Sequence, residues 1–373
     1  VRVKGSKRIK ISWTQEGDLL TAKLKGFSEI HQLYVDGSKK ILARYPNYDE
    51  DGGHWQGHAA DALSKERIAS WQNPKGVLVH AMHGSEWGDF HYRITDVDEN
   101  GLPILEGGHQ NNRPQQMHDR YRMVENIFEE LDTPDEFYYN PANQTLYWNN
   151  DQEKIPENSI VEIPILKELI IIKGSQDKAV TGISIEGIHF GQSKRTFMEE
   201  YEPLLRSDWT IYRGGAIFLN NAENCEITSC EFSELGGNGI FVSGYNRDIR
   251  ITKNHIHDLG ASGIAFVGLN SSVRSPSFQY GEFVALEDMD TVRGPKTNAY
   301  PAECLVDNNL IYRIGRVEKQ VSGVQLSMCM NITLSHNSIY DVPRAGINIS
   351  EGTWGGHLLE FNDVFMTVQE SGD

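Results

Sequence analysis

The end of the chain carries residue types that suit the cleavage of glycosidic bonds. Glu351 is followed closely by Trp354 and His357, and Asp373 is the last residue of the sequence. Carboxyl groups act as acid, base or nucleophile in that reaction, and an indole stacks on the face of a sugar ring. Glu351 and Asp373 are therefore the candidate catalytic pair, with Trp354 and His357 as candidate substrate-binding residues.

A repeat in the second half of the chain adds Gln325 and Asn348 to these candidates. A Gly or Ala followed by alternating apolar residues recurs at 216–219, 239–242, 263–266, 323–326 and 346–349. Because side chains alternate along a strand, the second and fourth residues of each block point inward and the third points outward. The outward residue is apolar in the first three blocks, whereas it is Gln325 and then Asn348 in the last two.

The same register brings Asp373 next to Asn348. Asn362 precedes Asp373 by the same eleven residues that separate Asn337 from Asn348. The pattern thus predicts an outward polar column that ends in a carboxylate. Simpler interpretations stay open, because Gln325 and Asn348 could form a hydrogen-bonded ladder, Glu351 could cap a turn and Asp373 could be a solvated chain end.

The repeat predicts a right-handed parallel β-helix. A second block begins with Asn254, Asn309, Asn337 and Asn362, and its underlying period is about 24 residues, which is shorter than that of helical repeats. Three short strands per unit, each with period-two alternation, are typical of stacked β-coils. We expect the four asparagines to stack at one turn, where Asn tolerates the left-handed conformation. An antiparallel sandwich is the alternative.

The chain divides into two regions by this criterion. Residues 1–165 lack the period, and their pattern predicts a mostly antiparallel β domain with long loops and a helix near 61–71. Residues 166–373 are predicted to form the β-helix. Two excursions, near 193–213 and 269–302, interrupt the coils, and long loops on a solenoid tend to wall its binding face. Glu303, which follows the second excursion, is therefore a further candidate for substrate binding.

A polar and aromatic patch in the first region could reach the same face. Its members are His83, Trp87, Asn111, Asn112 and Arg113. One interpretation is that these loop residues bind substrate hydroxyls, and the other is that they satisfy one another's hydrogen bonds. The four cysteines lack metal-binding spacing and are expected to be small buried residues.

Composition excludes several classes of partner. Thirty-five Lys and Arg against 52 Asp and Glu give a net charge of −17, which argues against a nucleic-acid binder. No apolar run is long enough to span a bilayer. No cofactor is indicated, although Ca²⁺ would be plausible in a lyase. The oligomeric state is left open.

Several segments resemble a known family. They are QLYVDG (32–37), ARYPN (43–47), VENIFEELD (124–132), GINI (346–349) and GTWGGH (352–357). They are similar to bacterial right-handed parallel β-helix glycoside hydrolases, nearest to the family that contains α-L-fucosidases and xylanases. The resemblance implies paired carboxylates on the coil surface. The family pattern continues beyond residue 373, so we expect the natural protein to be longer, and the sequence does not tell whether one partner of the catalytic pair lies in the missing part.

The favoured function is a secreted or periplasmic glycoside hydrolase acting on an oligo- or polysaccharide. A polysaccharide lyase is the first alternative, kept open by Arg316 and Arg344, since lyases of uronates use cations to neutralise the sugar carboxylate. A non-catalytic glycan-binding solenoid is the second. The sugar, the linkage and the stereochemical outcome do not follow from the sequence.

Overall fold

The computed structural model describes residues 1–150, 158–175, 177–206, 209–350 and 352–372. Glu351 and Asp373 lie outside the described residues. The described chain is almost entirely β, with parallel sheets that stack coil on coil and antiparallel sheets that precede most of them, so the prediction of a parallel β-helix with an antiparallel part is confirmed. Within the described ranges, no helix has the length and apolar character needed to cross a membrane.

One parallel sheet runs the length of the stack. In stacking order its strands are Arg2–Lys4, His189–Gly191, Glu231–Ser233, His255–His257, Leu310–Tyr312, Ser338–Tyr340 and Asp363–Phe365. The first strand of the chain heads this sheet, where Val3 lies beside Phe190. The antiparallel sheets, which we call the insert (residues 6–164), are therefore enclosed between two segments of the coil stack.

The second parallel sheet carries the tetrad blocks. Its strands are Ile170–Lys173, Val180–Thr181, Ser184–Glu186, Ile217–Thr228, Ile240–Thr252, Ile264–Val267, Pro301–Ala302, Leu305–Asp307, Ser322–Ser327, Thr333–Ser335, Ala345–Ile349 and Leu358–Glu360. The predicted inward column pairs in register from coil to coil, through Ile217, Ile240, Ile264, Val324 and Ile347. The first four are fully buried and Ile347 is partly buried.

A glycine begins every tetrad after the first, which begins with Ala216, because these coils leave no space for a side chain there. A Cβ on Gly239 would lie 2.6 Å from the carbonyl oxygen of Gly263, and Gly263 and Gly323 meet the next coil at the same distance. Such contacts would force the coils apart. The glycine column therefore fixes how closely successive coils approach.

The predicted asparagine ladder is present. Asn309 Oδ1 accepts hydrogen bonds from the backbone N–H (3.0 Å) and the side-chain amide (2.9 Å) of Asn254, and Asn309 donates in the same way to Asn337 Oδ1. The expected left-handed conformation of these asparagines is wrong. The positive φ falls one residue earlier, as at Lys253 (56°) and Asn308 (56°), because the turn must be completed before the ladder residue enters the stack.

The insert holds two sheets. The larger comprises Ser6–Lys10, Ile160–Pro164, Leu33–Val35, Ser38–Leu42, Glu136–Asn140, Thr145–Trp148, Leu19–Lys23 and Thr14–Glu16, and the smaller comprises Pro103–Gly107, Asp89–Val97, Leu78–His83, Met117–Glu125 and Arg44–Tyr45. Their neighbouring strands are antiparallel, except that Glu136–Asn140 runs parallel to Ser38–Leu42. The α-helix Lys65–Ser70 lies inside the predicted range and is capped by the Ser64 hydroxyl.

Short elements complete the chain. The 3₁₀-helices are His54–Gln56, Phe128–Glu130, Asn270–Ser272 and Leu286–Asp288, and a two-stranded sheet of Tyr201–Pro203 and Thr210–Tyr212 lies in the first excursion. Both excursions pack on the outward face of the tetrads, because Leu204 and Trp209 from the first and Val273 from the second share one apolar cluster with Phe241 and Ala265. The outward apolar positions are thus covered by loops.

We predict that Asn309→Ala lowers the free energy of unfolding by about 2–4 kcal/mol, because buried amide groups of Asn254 and Asn337 lose their partner. Urea denaturation followed by far-ultraviolet circular dichroism measures the change. The exposed Asn298 provides the matched control, since Asn298→Ala removes the same atoms outside the stack. Equal unfolding midpoints for the two variants would contradict a stabilising ladder.

Candidate functional site

A polar ridge of Gln325, Asn348 and Ser350 lies where the outward column turns from apolar to polar. Gln325 and Asn348 are register partners on adjacent strands. The Asn348 side-chain amide donates to Gln325 Oε1 at 2.9 Å, and Gln325 Nε2 donates to Ser350 Oγ at 2.8 Å. Gln325 is buried and further bonded to Ser322, whereas Asn348 is half-buried. Gln325 therefore orients Asn348, which is the member of the ridge that can reach a ligand.

Aromatic side chains and a guanidinium stand beside the ridge. The Arg344 guanidinium lies 4.6 Å from the ring centroid of Trp209 and donates a hydrogen bond to the carbonyl of Trp87. Trp354 packs against Tyr300, with 4.7 Å between ring centroids. The first excursion thus contributes Trp209 to the surroundings of the ridge, the second contributes Tyr300, and the insert contributes the backbone carbonyl of Trp87.

The loops of the insert do reach across to the second excursion. Arg113 lies 4.8 Å above the Trp87 ring and 5.4 Å from that of Tyr280, and His83 stacks on Trp87 at 5.5 Å. The Asn112 side-chain amide donates to the carbonyl of Phe278 at 2.8 Å. The patch identified in the sequence therefore contacts the second excursion, which covers part of the coil face.

Two hollows open among these groups. One of about 610 Å³ is lined in part by Val273, Gly352 and Trp354. The other, of about 400 Å³, is lined in part by Asn111 and Arg113. Volumes of this size are typical of small-ligand sites, and each could hold one or more sugar units.

The remaining candidates are placed as follows. Asn111 is buried and accepts a hydrogen bond from the Arg113 backbone at 3.0 Å. Glu303 is exposed and accepts from Asn331 at 3.0 Å, and His357 Nδ1 accepts from the Ile332 backbone at 3.2 Å. Burial lowers the pKa of His357. Across the described ranges, neither Glu303 nor His357 hydrogen-bonds to the polar ridge.

The described neighbours of the two candidate carboxylates lie at this site. Ser350, which precedes Glu351, belongs to the polar ridge. Gly372, which precedes Asp373, donates its backbone N–H to the carbonyl of Glu86 at 2.9 Å, next to Trp87.

A buried network of charges joins the insert to the coils behind the site. Asp89 accepts from His91 Nε2 at 2.9 Å and from the Lys319 backbone at 2.8 Å. Burial alone would raise the pKa of Asp89, but His91 and Lys319 outweigh it and lower that pKa. Arg195, from the first excursion, pairs with Glu125 on the insert. These bonds fix the insert against the coils.

Glu318 is the exception in this network, because it lacks a cation in the described contacts. Its carboxyl group is buried, faces the Tyr201 hydroxyl and accepts from Thr196 at 3.4 Å. Burial, with the nearby negative charge of Asp89, raises the pKa of Glu318 to about 8. At neutral pH this side chain is therefore protonated, so that its carboxyl group is uncharged and has an O–H that can donate a hydrogen bond.

Metal ligands do not converge in the described part of the chain, where no group of three or more His, Cys, Asp or Glu side chains is suitably arranged. The four cysteines are free and buried in the coil core, as expected from the sequence. Trp209 was not among the candidates predicted from the sequence. The one feature that could have indicated it is a single tryptophan inside an excursion. Arg344 was considered only as evidence for a lyase.

Comparison with known proteins agrees with this fold. Residues 170–278 match the family model described as a right-handed β-helix region. A solved structure named "Glycoside hydrolase" superposes with a TM-score of 0.70 at 18% identity, covering 94% of this chain and 66% of its own. A structure of XylC with xylose superposes with a TM-score of 0.47 at 13% identity, covering 98% of this chain and 52% of its own. The chain thus spans between half and two thirds of these proteins. No curated protein sequence matches it.

We predict that the contribution of Glu318 to the free energy of unfolding falls as the pH rises from about 4.5 to about 8, because folded Glu318 holds a proton that the unfolded chain releases at its usual pKa of 4.5. The variant Glu318→Gln should lose this dependence and be more stable than the parent protein at pH 8. Urea titrations at several pH values measure it. The exposed Glu287 serves as control, and an identical pH profile for Glu318→Gln and Glu287→Gln would contradict the assignment.

Proposed function

We propose that the protein is a glycoside hydrolase that binds an oligo- or polysaccharide along the polar ridge and cleaves it with Glu351 and Asp373. The observation that carries the proposal is the half-buried Asn348 amide on the coil face, together with the partly buried Trp354 indole, which packs on the apolar cluster of outward tetrad positions and lines the hollow of about 610 Å³. Indoles cover the apolar face of a sugar and amides bond its hydroxyls, so this arrangement suits a neutral or weakly charged glycan.

The chemistry needs two carboxyl groups in different environments. A carboxyl group held among amides and indoles has its pKa raised by desolvation, which suits a general acid, while a more solvated partner stays ionised as nucleophile or base. The positions of Ser350 and Gly372 support placing Glu351 and Asp373 in this role. A separation near ~5 Å would imply retention of configuration, and ~6.5–9.5 Å would imply inversion.

Finer assignments rest on the sequence resemblance. It favours the family of β-helix α-L-fucosidases and xylanases, a bacterial source and a secreted or periplasmic location. Trp87, Asn111, Asn112, Arg113 and His83 are proposed to bind more distant sugar units, because Asn112 and Arg113 contact the second excursion and the others lie against Arg113 or Trp87. Glu303 and His357 are proposed only as outer contacts.

A polysaccharide lyase is the second candidate. It is favoured by the guanidinium groups of Arg344 and Arg113, which both lie against Trp87 and could neutralise the carboxylate of a uronate unit. The hydrolase is preferred because the register partners on the strands themselves, Gln325 and Asn348, are neutral amides.

The decisive experiment is hydrolysis of a panel of neutral and uronate-containing glycans. We predict release of reducing ends from a neutral glycan, and a loss of at least about a thousandfold in kcat for Asp373→Asn and Glu351→Gln, because each removes one of the reacting carboxyl groups. The exposed Glu360 is the control, and Glu360→Gln should keep full activity.

The other outcomes are informative. Activity on uronates alone, with new ultraviolet absorbance from an unsaturated product, would replace the hydrolase with the lyase. Binding of a glycan without any cleavage would favour a non-catalytic solenoid. Full activity of both carboxylate variants would move the chemistry elsewhere.

A further prediction concerns Asn348. Its replacement by alanine should lower kcat/KM by about tenfold or more, since one hydrogen bond to substrate is lost, whereas the melting temperature should change little because Gln325 keeps Ser322 and Ser350 as partners. Steady-state kinetics beside thermal melts separate the two effects. Unchanged kinetics would remove Asn348 from the binding site.

A further inference from the structure

A third cavity lies where the insert contacts the coil turns. This seam cavity has a volume of about 400 Å³ and is lined by residues of the insert, among them Lys39 and Tyr48, and by residues of the coil turns, among them Glu234, Asp258 and Arg316. It shares no lining residue with the two hollows beside the polar ridge. It is therefore a separate place where a ligand of monosaccharide size could bind.

Positive charge is concentrated in this cavity. Six of its lining residues are Lys or Arg and three are Asp or Glu, an excess of three positive charges in a chain whose net charge is −17. A cavity focuses the field of the charges that line it, so an anion is attracted here although the protein as a whole repels it.

Four of the six cations are already engaged. Lys40 pairs with Asp135 at 2.7 Å, and Arg44 donates to three backbone carbonyls of the loop around Trp55. The other two are Arg195, which pairs with Glu125, and Arg313, which pairs with Asp258 at 2.7 Å.

Lys39 and Arg316 are different. Within the described residues, neither side chain makes an ion pair or a hydrogen bond to protein, although both line the cavity. Lys39 as a whole residue is exposed, yet desolvation of its ammonium group, together with repulsion by Arg195 and Arg316, outweighs the attraction of Glu234 and Asp258 and lowers the pKa of Lys39. An anion placed between Lys39 and Arg316 would relieve this repulsion and supply the partner that both cations lack.

The fold builds one wall of the cavity from the coil turns. Glu234 and Asp258 follow successive strands of the first parallel sheet, and both have left-handed backbones with φ of 55° and 54°. This repeated conformation points the two side chains to the same side of the stack. Asp258 is held by His257 at 2.7 Å and by Arg313, whereas the carboxyl group of Glu234 makes no hydrogen bond in the described part of the chain. Glu234 is thus positioned to accept bonds from sugar hydroxyls.

We propose that the seam cavity binds a carboxylated monosaccharide unit, a uronate, whose carboxylate lies between Lys39 and Arg316 and whose hydroxyls bond to Glu234. Tyr48, at the cavity, offers an exposed ring for the apolar face of the sugar. This site goes beyond the proposed hydrolase, because it requires neither the polar ridge nor any bond cleavage.

Isothermal titration calorimetry of the whole protein tests the proposal with three probes: D-glucuronate, D-glucose and inorganic sulfate. We expect glucuronate to bind at least tenfold more tightly than glucose, and sulfate to compete weakly. Lys39→Gln and Arg316→Gln should each weaken glucuronate binding at least tenfold. Lys173 and Arg250 are exposed and lie outside the cavity, so Lys173→Gln and Arg250→Gln are matched controls that should bind as the parent does.

Three results would overturn the proposal. They are equal affinity for glucose and glucuronate, unchanged binding by both cavity variants with unchanged melting temperatures, and sulfate binding as tight as glucuronate binding, which would reveal a simple anion site. Calorimetry measures binding and not cleavage, so the two proposals fail independently. A protein that binds glucuronate but hydrolyses no glycan would contradict only the proposed hydrolase. A protein that hydrolyses a glycan but does not bind glucuronate would contradict only the seam site.

Discussion

Close approach of successive coils is the constraint on which the rest of this structure depends. Parallel strands pair at about 4.8 Å, and the glycines that begin the last four tetrads let the backbones reach that spacing. The asparagine ladder then satisfies amide groups that stacking has removed from water. Once the spacing is set, every residue of a coil lies directly above its counterpart, so a line of equivalent sequence positions becomes a line on the surface. The polar ridge and the wall of the seam cavity are two such lines.

The insert depends on a different kind of interaction. Its contact with the coils is rich in buried charge, including Asp89, which accepts from the Lys319 backbone, and the Arg195–Glu125 pair. Removing paired charges from water contributes little net stability, but a misplaced partner would be costly, so such pairs define one orientation. This specificity matters here because Trp87 and Arg113 approach the coil face only when the insert is correctly seated. The stability of the stack and the geometry of the site thus come from separate sources.

The periodic part of the structure followed from the sequence, and the non-periodic part did not. Gln325 and Asn348 were placed correctly because a repeat converts spacing in sequence into stacking in space. The contact of Arg344 with Trp87 joins residues far apart in the chain and leaves no periodic signal. Glu303 and His357 were grouped with the ridge by proximity in sequence, yet each is bonded to a turn of the neighbouring coil, at Asn331 and Ile332. The conformation of the ladder asparagines was misjudged because residue preference alone does not identify which turn residue takes the positive φ.

The second excursion leaves the coils undisturbed. Ile264 and Val324 flank it in sequence and still pair in register on adjacent strands, as Phe266 and Leu326 do. The excursion is therefore a loop that can be lengthened, shortened or exchanged while the strands on either side keep their partners. During evolution, exchange of the segment between these two junctions would give new ligand specificities while the coil stack stays the same. The same junctions are where a designer would graft a foreign loop with the least risk to folding.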